Sequence, residues 1–198
     1  MIYAMIAAML VASPSQAAAP AAPAPTPAPA PTVDRYGDWS LVCAVRSGLP
    51  PCEVVQAVQR KDDGDKLLRF SFAYAGKDDR YGVQYQVPLG VFVQPEALVR
   101  LDDKTDVPGY RITRCEADGC YIDRVVTRAD LAPFYAAQKG VIAVADKTGQ
   151  ALVLPLSLNG FGDAMKIMVS RNEAWARAQP AAASASAAQP AKAKGQKR

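Results

Sequence analysis

LRFSFAY at residues 68–74, AGKDDR at 75–80 and YGVQYQV at 81–87 form the stretch whose reading decides the fold. Leu68, Phe70, Phe72 and Tyr74 fall on one side of an extended chain, with Arg69, Ser71 and Ala73 on the other. Tyr81, Val83, Tyr85 and Val87 repeat the pattern, with Gln84 and Gln86 opposite. Successive side chains of a strand point to opposite faces, so period-2 alternation marks a half-buried strand. Two such runs joined by a short polar, Gly-containing link read as a β-hairpin.

The same alternation extends outward in both directions. Trp39, Leu41 and Cys43 alternate with Ser40 and Val42, and CEVVQAVQ at 52–59 follows after a turn-rich excursion. Further strands are predicted at 98–101, 109–115, 120–126, 140–146 and 150–157, the last two joined by Lys147-Thr148-Gly149. Two helices are predicted. Thr127 caps the first, with Asp130 at its third position as a short capping box, and Pro133 keeps that helix short or irregular. Asn159 is expected to cap the second, which runs to about Ala176 with Phe161, Met165 and Met168 at helical spacing as core residues. The helices do not alternate with the strands, so a doubly wound sheet is disfavoured. The expected fold is all-β, a mostly antiparallel β-sandwich or barrel-like body with one or two short peripheral helices.

The chain carries four cysteines and no histidine. The cysteines form two close pairs, Cys43 with Cys52 and Cys115 with Cys120. The second pair flanks Glu116-Ala117-Asp118-Gly119, a sequence suited to a hairpin tip, where opposed residues lie within disulfide range. Four cysteines allow three pairings, and 43–52 with 115–120 is the one favoured here. A four-cysteine zinc site and a redox-active pair are the competing readings, although neither spacing is the C-x2-C of a zinc knuckle.

The ends of the chain bear on its location. Ile2 to Ala12 is an apolar run of signal-peptide length, too short to span a bilayer, and Ser15-Gln16-Ala17 suits cleavage after residue 17. No Lys or Arg precedes that run. Residues 18–32 are an Ala/Pro-rich linker favouring extended polyproline II, 33–177 a single domain, and 178–198 a disordered basic tail. Lys192, Lys194, Lys197 and Arg198 account for the net charge of +4, leaving 19 basic and 19 acidic side chains elsewhere. The domain is therefore neutral, which argues against a specific nucleic-acid groove, while the tail suits an anionic polymer. An exported location, periplasmic, secreted or at the outer envelope, agrees with paired cysteines, because thiols oxidise outside the cytoplasm.

Enzyme chemistry finds little support. Without histidine the usual base for a serine nucleophile is missing, and no S-x-x-K occurs. Asp62-Asp63 with Asp65, Asp78-Asp79 and Asp102-Asp103 are acidic groups, each beside a lysine in a turn-like setting. A carboxylate-dependent extracytoplasmic hydrolase would need two of them across a cleft. DDGD at 62–65 resembles part of a calcium loop but lacks its spacing and terminal Glu. No phosphate loop or dinucleotide fingerprint appears. The reading is of no catalytic residues, no metal and no cofactor.

YGDWSLVC at 36–43, CEVVQ at 52–56, VPLGVFV at 87–93, CEADGC at 115–120 and LPLSLNGFGDAM at 154–165 occur in series. Together they resemble the invasion-associated locus B family of exported alphaproteobacterial proteins, over about residues 36–168. The resemblance implies a secreted or envelope-associated β-rich domain, linked in pathogenic members to invasion of host cells. It brings no catalytic residue and no cofactor. The expected function is a non-enzymatic, disulfide-stapled envelope domain binding a protein or polysaccharide partner. A structural or stress-protective periplasmic role is the alternative.

Overall fold

The computed structural model describes residues 29–59 and 66–179. The predicted leader at 1–17, most of the 18–32 linker, the acidic residues Asp62, Asp63 and Asp65, and the tail from 180 onward lie outside the described residues. Two antiparallel sheets make up the body. The larger holds β1 (Thr32–Tyr36), β2 (Trp39–Cys43), β3 (Cys52–Gln59), β4 (Lys66–Tyr74), β5 (Tyr81–Val87), β8 (Arg114–Glu116) and β9 (Gly119–Val126), in the order β1-β2-β3-β4-β5-β9-β8. The smaller holds β6 (Ala97–Leu101), β7 (Thr105–Tyr110), β10 (Lys139–Ala145) and β11 (Ala151–Ser157), in the order β11-β10-β6-β7. The sheets do not close into a barrel. Helix α1 (Arg128–Ala136) follows β9, and α2 (Phe161–Ala178) follows β11.

The deciding hairpin forms β4 and β5, with Phe70 opposite Tyr85, Phe72 opposite Val83 and Tyr74 opposite Tyr81. All six side chains are buried. Half of this inner face is covered by α2, which lies on β1 to β4. The other half meets the small sheet, where Tyr85 stacks on Tyr110 at 5.0 Å between ring centroids. Trp39 packs against Phe72 at 5.6 Å and Phe161 at 5.1 Å, tying β2, β4 and the start of α2 into one aromatic cluster. Each such large apolar side chain, fully buried, stabilises the fold by about 1.5–3 kcal/mol.

Helix α1 has the predicted capping box: the Thr127 side chain accepts from the Asp130 amide, and the Asp130 carboxylate accepts from the Thr127 amide. Pro133 lies inside this nine-residue helix.

Several details depart from the sequence expectations, among them β1, where no strand was predicted. The strand expected at 109–115 is two strands in different sheets. Tyr110 ends β7 buried against Tyr85, and the chain then crosses so that Arg114 begins β8. Gly109, at φ +86°, allows the change of direction, and the Thr113 amide bonds to the Tyr121 carbonyl as the chain joins the large sheet. Asn159 does not cap α2: Gly160 occupies that position at φ +81°, with no side-chain cap. Helix α2 also exceeds a short edge cover. It spans 18 residues and buries Phe161, Ala164, Met165, Met168 and Asn172. Among the described residues no helix is long and apolar enough to cross a membrane.

Candidate functional site

The cysteines sit where strand register opposes them. Cys43 faces Cys52 across β2 and β3, and Cys115 faces Cys120 across β8 and β9. Both pairs are bonded, with Cα separations of 4.1 and 3.9 Å. Among the described residues no cysteine is free, and no group of three His, Cys, Asp or Glu side chains is placed to hold a metal. The first bridge is anchored to α2. Asn172 accepts from the Cys52 amide at 3.1 Å and donates to the carbonyls of Cys52 at 2.9 Å and Tyr74 at 3.0 Å. Arg171, next in the chain, pairs with Asp34 of β1 at 2.9 Å.

The two most distinctive sequence segments, around Gly37-Asp38-Trp39 and Ser157–Phe161, meet in space. Trp39 Nε1 donates to the Ser157 carbonyl at 2.9 Å, and Gln56 Nε2 donates to the same oxygen at 3.0 Å. Gln56 Oε1 accepts from the Ser157 amide at 3.0 Å, the Ser157 hydroxyl donates to the Asp38 carboxylate, and the Asp38 amide donates to the Asn159 carbonyl at 3.1 Å. Gly37 (φ +55°) and Gly160 make this closeness possible, because a Cβ on Gly37 would lie 2.6 Å from the Asn159 carbonyl oxygen. These internal bonds clamp the β1–β2 turn onto the β11–α2 junction.

The described acidic pairs are also consumed by structure. Asp78 and Asp79 have φ of 64° and 42°, and Asp102 and Asp103 have φ of 47° and 60°. Both pairs occupy the left-handed region that Asp tolerates better than most residues. Asp102 and Asp103 are the central residues of the turn in the three-residue β6–β7 link, closed by the Lys104 amide on the Leu101 carbonyl at 3.0 Å. The Asp102 carboxylate accepts the amides of Gln138 and Lys139, while Asp103 pairs with Lys139 at 2.8 Å. Asp79 accepts from the Arg128 amide at 3.3 Å. Neither pair flanks a cleft in the way a hydrolase requires.

The outer face of the large sheet is open. Ala73 and Gly82 face each other there, and their small size leaves a depression of about 440 Å³. Glu53 stands on one side, held by Arg46 at 2.8 Å, Arg69 at 3.2 Å and the Ser71 hydroxyl. Asp123 stands on the other, accepting from Gln84 and Thr113, each at 2.8 Å, and paired with Arg114. Burial pushes the Glu53 carboxyl up, but the Ser71 bond and the two guanidinium charges outweigh it and hold the group below its usual range. Asp123 follows the same pattern, with burial opposed by Gln84, Thr113 and Arg114. Both stay ionised and fixed in position. Sequence alternation identified this face as polar; that its rows assemble around a glycine-floored hollow depends on strand register.

Comparison with known proteins adds two findings. The sequence profile described as "Invasion associated locus B (IalB) protein" matches residues 39–169. The crystal structure of invasion associated protein B from Bartonella henselae is similar with a TM-score of 0.62 at 22% sequence identity, over 70% of this chain and 95% of that one. No curated protein matches. The matched segment spans Trp39, both bridges and the first half of α2, and leaves Gly37, Asp38, Arg171 and Asn172 just outside it.

Proposed function

The chain belongs to the invasion associated locus B family, and from that premise we propose that it is an exported, non-enzymatic envelope or secreted domain that holds a polysaccharide on the outer face of its seven-stranded sheet. The depression over Ala73 and Gly82 carries this reading. Its rim offers carboxylates, guanidinium groups and an amide already locked by mutual bonds, an arrangement suited to the hydroxyls of a glycan at small ordering cost. The apolar run at 2–12, the Ala/Pro linker and the two bridges support export to an oxidising compartment. A part in host-cell invasion, which the names of the family and of the Bartonella protein suggest, belongs to the same proposal.

Gly82 supplies the test. A Cβ built there meets nothing within 4 Å, and its backbone is ordinary extended strand. Gly82→Phe therefore fills the hollow without disturbing the fold. Purified envelope polysaccharide should retain the full chain, and Gly82→Phe should weaken retention at least about tenfold, the loss of roughly 1.4 kcal/mol. Equal retention of the variant, or no retention of the wild type, removes the proposal. A structural or stress-protective role is favoured by one observation, the hydrogen-bonded clamp around Asp38 and Ser157. It becomes the better reading if the wild type binds nothing.

A further inference from the structure

On the helical side of the molecule α1 and α2 diverge to leave a cleft of about 620 Å³, within the roughly 300–1,000 Å³ of ordinary ligand pockets. Its floor is apolar, made by buried Tyr81 and Met165 with half-buried Val169. Ala132, Ala136 and Gly162 contribute room by being small. Tyr135 forms one wall, 45% exposed, with its ring 5.2 Å from Phe161. Two charges line the cleft, and both are positive: Arg128 and Lys166. Arg128 is hydrogen-bonded to Tyr81 and only loosely matched by a carboxylate, Asp79 at 3.7 Å, and no carboxylate among the described residues pairs with Lys166. Among the described residues no carboxylate lines the cleft.

An apolar trough with a purely cationic rim selects for a molecule with an apolar body and a negative end. We propose that this cleft binds a single-chain anionic amphiphile, its acyl tail lying along Ala132, Ala136 and Val169 and its carboxylate meeting Arg128 and Lys166. A glycan is a poor occupant, because the floor offers almost no hydrogen-bonding groups to its hydroxyls. A free fatty acid satisfies both halves of the cleft with one small molecule. The assignment is independent of the sheet-face proposal, which concerns the opposite side of the large sheet.

The test is calorimetric titration of the full chain with laurate, decanoate and dodecanol below their aggregation limits. Laurate should bind one to one, and decanoate more weakly by roughly two- to fourfold per methylene lost. Dodecanol, which keeps the tail and lacks the charge, should bind at least about tenfold more weakly than laurate. Ala132→Trp fills the trough from an exposed helix position and should abolish binding. Lys166→Glu, also exposed, should weaken it at least about tenfold, and circular dichroism should show both variants folded. If Ala132→Trp loses helical signal, Lys166→Glu alone decides. No heat with laurate, dodecanol binding as tightly as laurate, or binding unchanged in a folded variant overturns the proposal.

Discussion

Asn172 lies on a helix face otherwise made of Phe161, Ala164, Met165 and Met168, yet it is fully buried and polar. Its amide answers three backbone groups on β3 and β4, so it fastens α2 to the ends of two strands beside the first disulfide. Removing one partner of a buried hydrogen bond leaves the other without water or protein, which costs more than the bond contributed. Asn172→Ala is therefore expected to lower stability by about 2–4 kcal/mol, read as a fall in the urea midpoint at unchanged slope. Nothing in the helical periodicity distinguishes this asparagine from a solvent-facing one. The methionines around it were legible as core, whereas the three backbone partners, 98 and 120 positions away, were not.

At the scale of elements, the β4–β5 hairpin was legible because alternation and turn chemistry are both local. So was the α1 cap, where Thr127 and Asp130 are three residues apart. The split of 109–115 was not: alternation continues through Gly109 and Tyr110, and only the burial of Tyr110 against Tyr85 assigns β7 to the small sheet. The two bridged hairpins differ in surroundings. Cys52 and Cys120 are equally buried, but Cys43 is half-buried and the first bridge is tied to α2 through Asn172, whereas Cys115 is exposed on the edge strand β8. With sequence separations of 9 and 5, loop-closure entropy assigns each bridge about 2–3 kcal/mol. Replacing Cys43 and Cys52 together by serine should lower the melting temperature more than the same change at Cys115 and Cys120, because both new hydroxyls then meet partly or fully buried surroundings, whereas at the second bridge only the one at 120 does. Parallel thermal melts check this; an equal or reversed order sinks it.

For the molecule as a whole, the neutral balance of the domain means that acid acts through individual carboxylates rather than through a large starting charge. Glu53 and Asp123 are partly buried and lie below their usual pKa range in the folded state. A depressed folded pKa contributes stability above the unfolded value, and that contribution is lost as pH falls through the folded value. Stability should accordingly hold at neutral pH and decline in acid, starting in the ordinary carboxylate range, where the unfolded chain takes up protons first, and continuing through the lower folded values. Glu53→Gln should be less stable at neutral pH and show a shallower acid slope, measured by urea unfolding at several pH values. An unchanged slope would mean that the cation and hydroxyl partners of Glu53 do not hold its charge in solution.

From the sequence alone came the sheet-built body, the location of most strands, the cap of α1 and the family. Those follow from side-chain direction along an extended chain, turn preferences over a few residues and motifs read in series. Tertiary structure alone decided which distant groups would meet: Gly37 against Asn159, Asn172 against Cys52, Glu53 and Asp123 on either side of one hollow. Hydrogen bonds and close packing act over a few ångströms. Which residues come within that reach across more than a hundred positions is settled by the packing of both sheets and α2 together.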